Sequence, residues 1–165
     1  MEIRDARADD APEAAEVLRR SIVELCVADH RGDPATLSAW LANKTPDSVA
    51  RWMRRLDASY LVAVEAGAIA AVGAVTDAGE ILLNYVSPSA RFRGASKGLL
   101  AALETRAAER GAMRCTLIST ETARRFYLAL GYAETGAPTR KFGMESGFPM
   151  AKRLAPALPP PAGEA

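Results

Sequence analysis

The sequence predicts an α+β fold with a central mixed, mostly antiparallel sheet flanked by helices. Strand-like apolar runs at Tyr60–Val64, Ile69–Val75 and Ile81–Val86 follow one another directly. They are separated only by Glu65-Ala66-Gly67-Ala68 and Asp77-Ala78-Gly79-Glu80, turns short enough to require antiparallel hairpins. A helical pattern and a further strand come next, completing one β-α-β unit. The first fifty residues, by contrast, carry helical periodicity.

In chain order, Glu2 to Ala6 is a short strand candidate. Asp10, Pro12 and Glu13 supply a helix start: an oxygen cap, an early proline, and an acid three residues after the cap. Ala11, Ala14, Ala15, Leu18, Ile22 and Leu25 fall at helical spacing, which predicts one helix to about Val27 with one buried stripe. Gly32-Asp33-Pro34 breaks the chain, and Pro34 opens a short helix carrying Leu37, Trp40 and Leu41. Pro46 opens another, through Trp52 and Met53.

After the three strands, helical spacing runs from about Arg93 to Arg110, with Leu99, Leu100, Leu103 and Ala107 on one side and Gly111 as the stop. Cys115 to Ser119 reads as a strand. The helix after it sets Ala123, Phe126, Tyr127 and Leu130 on one face and ends at Gly131. A hairpin-like segment and a last strand near Pro149 to Leu154 complete a single domain over residues 1–154. Residues 155–165, rich in Pro and Ala and without periodicity, are expected to be a disordered tail.

Composition narrows the function classes. Twenty-one basic against 20 acidic residues in 165 leave no uniform basic surface, so a nucleic-acid partner is not expected, although a local basic pocket is compatible. Cys26 and Cys115 lie far apart in apolar segments and read as buried free thiols. The N-terminus has no apolar run, and no stretch approaches the roughly 18 apolar residues that cross a bilayer. The expectation is a cytoplasmic protein without a membrane partner.

The most informative stretch is Val86-Ser87-Pro88-Ser89-Ala90-Arg91-Phe92-Arg93-Gly94-Ala95-Ser96-Lys97. A strand ends in a proline, enters a turn of small residues, and opens a helix. The first N–H groups of that helix have no internal acceptor, and the helix dipole favours an anion beside them. Gly94, Ala95 and Ser96 lack bulk, so phosphate can approach the backbone. Arg91, Arg93 and Lys97 add positive charge. Taken alone, the stretch is equally readable as an ordinary helix start with solvated basic residues.

The same stretch resembles the acetyl-CoA motif of the GCN5-related N-acetyltransferase (GNAT) superfamily: Gln or Arg, two residues, Gly, one residue, then Gly or Ala. Arg91, Gly94 and Ser96 fall on its three positions, with Ser96 a small departure. Thr120 to Tyr132 resembles the superfamily's second segment, Asn-x-x-Ala-x-x-Phe-Tyr-x-x-x-Gly-Phe, on Ala123, Phe126, Tyr127 and Gly131. Here Thr120 replaces Asn and Tyr132 replaces Phe. The motifs cover residues 80–132, and the element order covers most of the chain.

The resemblance implies acetyl transfer from acetyl-CoA, the acyl donor, to a primary amine by direct attack. No metal is expected, because Cys26 and His30, which share a helix face, are too few ligands for a closed site. The resemblance also implies backbone pairing of the pantetheine arm near Tyr85 and Val86, with Ser87 also in the cofactor site, and pyrophosphate held from Arg91 through Phe92 and Arg93 to Lys97. Thr120, Ala123 and Phe126 complete the cofactor site, and Tyr127 is the acid for the departing thiolate. Glu80, eleven residues before Arg91, stands at the spacing of the catalytic glutamate in histone-type members. Asp29 and His30 are expected in the wall of the amine pocket, and the family's habits include a homodimer. The alternative is a catalytically silent CoA-binding regulatory or interaction module. A dinucleotide-binding reading is weaker, because the turn follows an antiparallel hairpin rather than opening a Rossmann unit.

Overall fold

Hairpin chemistry organises the first half of the sheet. Strands β2 (Ala58–Glu65) and β3 (Ala68–Thr76) are joined at Ala66 and Gly67, both left-handed at φ 51° and 81°, which matches the twist of a tight hairpin. Strand β4 (Ile81–Val86) pairs antiparallel with β3, and β1 (Glu2–Asp5) with β2, giving the order β1-β2-β3-β4. The computed structural model describes residues 1–141 and 144–156. The expected disordered tail therefore lies, from residue 157 on, outside the described residues.

Both faces of this sheet are covered. Helix α1 (Ala11–Arg20) packs Ala14, Ala15 and Leu18 against Val62 and Val72 on one face. Between them, α2 (Val27–His30), α3 (Pro34–Leu41) and α4 (Pro46–Trp52) carry the chain from α1 back to β2. Helix α5 (Ala95–Glu109) packs Leu99, Leu100 and Leu103 against Leu61, Ala71 and Val75 on the other face. The second half forms another sheet, in which β5 (Arg114–Ser119), β8 (Met144–Arg153) and β6 (Ala133–Glu134) lie in the order β5-β8-β6. Strand β7 (Thr139–Lys141) pairs with β8 as well, and α6 (Glu121–Ala129) joins β5 to β6. No helix among the described residues is long and apolar enough to cross a membrane.

The two sheets meet at one parallel bridge, Glu80 to Thr116, where the Thr116 N–H donates to the Gly79 carbonyl at 3.0 Å. Gly79 adopts φ 91° there, and a side chain on it would collide with the Arg114 carbonyl. The mixed, mostly antiparallel arrangement thus holds, and β4 and β5 part immediately after the bridge.

One expected element is different. The helix predicted to reach Val27 is regular only to Arg20, then widens to π geometry over Ser21–Leu25 and breaks at Cys26 (φ −93°, ψ 33°). His30, buried, brings Nε2 within 3.1 Å of the Ile22 carbonyl and 3.2 Å of the Val23 carbonyl, while the Gly32 N–H donates to Nδ1 at 2.9 Å. The ring thus lies against the carbonyls of the widened turn, and the Ile22 carbonyl also keeps the Cys26 N–H at 3.2 Å.

Candidate active site

Strands β4 and β5 are each outermost in their own sheet, so past the Glu80–Thr116 bridge their facing edges diverge without a ladder between them. The gap is a cavity of about 390 Å³. Its walls are Ile81 to Val86 on one side and Leu117 to Thr120 on the other. The turn before α5 closes one end, and α6 and the widened end of α1 close the rest. Unpaired strand edges offer N–H and C=O groups in the pattern that an extended amide chain can pair with.

The turn has the shape the sequence predicts. Pro88–Ala90 forms one 3-10 turn, Phe92 is left-handed at φ 63°, and Gly94 caps α5 at φ 85° without a side chain over its first N–H groups. Ala95, Ser96 and Lys97, with Arg91, border the cavity, so the free helix end and two cations face it together. Phe92 is 90% exposed, with the Arg91 guanidinium 4.5 Å over its ring. Arg93 and Ser87 do not border the cavity. The Arg93 guanidinium pairs with Glu65 at 3.0 Å, and the Ser87 hydroxyl is bonded to that of Ser89 at 2.9 Å.

At the other end, α6 presents Ala123, Phe126 and Tyr127 to the cavity. The Thr120 hydroxyl caps the helix by accepting from the Ala123 N–H at 3.1 Å. Tyr127 packs edge-on against Phe126 and Tyr132, with ring centroids 5.1 and 5.5 Å away. Burial pushes its phenol up to about 12, and the Asn84 side chain, which favours the phenolate, opposes part of that rise. Burial likewise raises the phenol of Tyr85 and lifts the Cys26 thiol to about 12.

Three further expected site residues stand elsewhere. Glu80 is exposed at the sheet junction, at the start of β4, and does not border the cavity. Each residue of β4 advances about 3.3 Å, which sets Glu80 a strand's length from Val86 and the turn. Asp29 and His30 do not form the pocket wall either. His30 braces the widened helix, and Asp29 holds the start of α6, accepting from the N–H groups of Glu121 (2.7 Å) and Thr122 (3.2 Å) and the Thr122 hydroxyl (2.6 Å).

The wall residues in their place are Ser21, Leu25 and Cys26, brought inward by the π turn, with Asn84 from β4. Nothing local in the sequence marks the π turn. Asn84 carries a signal, an amide within the apolar run Ile81-Leu82-Leu83-Asn84-Tyr85-Val86. No cluster of three metal-capable side chains occurs among the described residues.

Residues 26–154 match the profile of the family described as an acetyltransferase (GNAT) domain. Among solved structures, the chain resembles a GCN5-related N-acetyltransferase of Rhodopseudomonas palustris at 24% identity and TM-score 0.83, over 93% of this chain and 95% of that one. It resembles the PaiA N-acetyltransferase of Thermoplasma acidophilum, in complex with coenzyme A, at 21% identity and TM-score 0.79, over 93% and 98%. A third likeness is to the aminoglycoside 6'-N-acetyltransferase of Enterococcus faecium, at 17% identity and TM-score 0.72, over 96% and 100%. At these identities the likenesses establish the shared fold. No curated protein matches the sequence.

Proposed function

The chain belongs to the acetyltransferase (GNAT) domain family, and on that premise we propose that it transfers the acetyl group of acetyl-CoA to a primary amine by direct attack. The observation that carries this reading is the single cavity bounded at one end by the Arg91–Lys97 turn and at the other by Tyr127. A phosphate anchor and a proton donor thus share one opening between two free strand edges, as a long, anionic, amide-containing thioester requires.

In this reading the pyrophosphate lies on the first N–H groups of α5, flanked by Arg91 and Lys97. The pantetheine arm pairs with the free edge of β4 near Tyr85 and Val86, leaving the thioester near Tyr127. A neutral amine attacks the carbonyl carbon, so a C–N bond forms and the C–S bond breaks. The departing sulfur takes the Tyr127 hydroxyl proton. Nitrogen loses its surplus proton to solvent, from which Tyr127 is reprotonated.

The high pKa keeps Tyr127 protonated throughout the working range. It also makes full transfer to sulfur harder, and the Asn84 amide lessens that penalty by favouring the phenolate. No carboxylate borders the cavity among the described residues, so solvent rather than Glu80 accepts the amine proton.

Thiol release from acetyl-CoA with a panel of primary amines tests the reading. Tyr127→Phe is expected to lower kcat by roughly 10²-fold and leave acetyl-CoA binding unchanged. Wild-type protein that binds acetyl-CoA but releases no thiol with any amine would replace this reading with that of a silent CoA-binding module.

A further inference from the structure

Asn84 stands opposite Gly73 in the β3–β4 register, and a side chain at Gly73 would press on Leu99 and Leu103. Asn84 therefore projects from the α5 face of the sheet, off the strand edge, into the cavity it shares with Tyr127. Its Oδ1 is buried and has no hydrogen-bond partner. A buried acceptor without a donor destabilises a fold, so its presence points to a donor that arrives with a ligand.

Two neighbouring hydroxyl protons are already committed: Ser119 donates to the Thr120 carbonyl at 2.8 Å, and Thr122 donates to Asp29 at 2.6 Å. The pantetheine amides are an unsuitable donor, because an extended chain pairs with the backbone edges rather than with a side chain perpendicular to them. The donor expected beside Tyr127, at the sulfur end, is the nucleophile.

We propose that Asn84 receives the acceptor amine, its Oδ1 taking one N–H of the attacking nitrogen and so aiming the lone pair at the thioester carbonyl. The same side chain also favours the Tyr127 phenolate. One side chain thus positions the nucleophile and steadies the acid. The assignment rests on the acetyl-transfer reading above.

Asn84→Leu separates this role from a structural one, because leucine fills a similar volume and removes the orphaned oxygen. The probes are phenethylamine, Nα-acetyl-lysine amide and the dipeptide Ala-Phe, with the best wild-type acceptor carried forward. The variant is expected to melt no lower than wild type and to bind acetyl-CoA within about twofold. Its KM for the amine is expected to rise about tenfold or more. Asn84→Asp, which keeps an acceptor oxygen, should recover part of that loss. An unchanged amine KM in Asn84→Leu, or a loss confined to acetyl-CoA affinity, overturns the assignment. If wild type shows a thermal shift with acetyl-CoA but acetylates none of the probes, the transfer reading fails and this one with it. Absence of the thermal shift removes the cofactor site itself.

Discussion

The carboxylate of Asp29 accepts the N–H groups of Glu121 and Thr122, at 2.7 and 3.2 Å, across 92 and 93 residues of chain. With the Thr120 hydroxyl on Ala123, every N–H of the first turn of α6 has an acceptor, and the anion sits at the positive end of the helix dipole. The helix held this way is the one that carries Tyr127. Asp29→Ala should therefore cost about 2 kcal/mol, the scale for losing a charged, buried cap, and should lower kcat more than acetyl-CoA affinity. Asp29→Asn should cost less. Denaturant unfolding of both variants checks this, and a cost below about 0.5 kcal/mol in Asp29→Ala would contradict it.

The junction of the sheets makes a sharper structural prediction. Gly79 combines φ 91° with a backbone oxygen, that of Arg114, in the place of a side chain. Gly79→Ala must either strain the turn or push β5 from β4, changing the mouth of the cavity. A loss of about 2 kcal/mol or more is expected, with weakened acetyl-CoA binding. By contrast, Gly111→Ala also breaks a left-handed turn but meets open space, so it should cost stability without touching the site.

Tyr127 and Cys26 hold their protons more tightly in the folded chain, both rising to about 12 from ordinary values of 10.0 and 9.0. Their contribution to stability is whole below about pH 9 and is lost as the pH climbs through 10 toward 12. Thermal unfolding should show a falling alkaline limb. Tyr127→Phe should flatten it above pH 10, and Cys26→Ala should flatten it from about pH 9. Limbs of unchanged slope in both variants would contradict the assignment of burial as the cause.

Local pattern was enough for the hairpins from Tyr60 to Val86, for the turn from Arg91 to Lys97, and for the face that joins Phe126 and Tyr127. Each is written in neighbouring residues: alternation, small residues before a helix, or three- and four-residue spacing. What the sequence did not disclose depends on distant partners. The π turn at Ser21–Leu25 lies under the His30 ring that folds back on it, and Asp29 acts on a helix far along the chain. Arg93 looks like one more phosphate ligand until Glu65, on the neighbouring hairpin, pairs with it. Glu80 fits a one-dimensional spacing, yet the sheet junction holds it outside the cavity. Asn84 was visible as an amide among apolar residues, and only its buried, unpartnered oxygen gives that oddity a meaning.

On the proposed reading, acetyl-CoA occupies the cavity between β4 and β5 with its pyrophosphate on the Arg91–Lys97 turn. Thermal unfolding with increasing acetyl-CoA tests it most directly, comparing wild type with Lys97→Glu. A ligand at a hundred times its Kd adds about 2.7 kcal/mol, about 5–10 °C for a chain of this size. Wild type should show such a rise, and Lys97→Glu, which reverses one of the two charges at the anchor, should show it only at much higher ligand. No rise in wild type at millimolar acetyl-CoA, or an equal rise in the two proteins, would contradict the account.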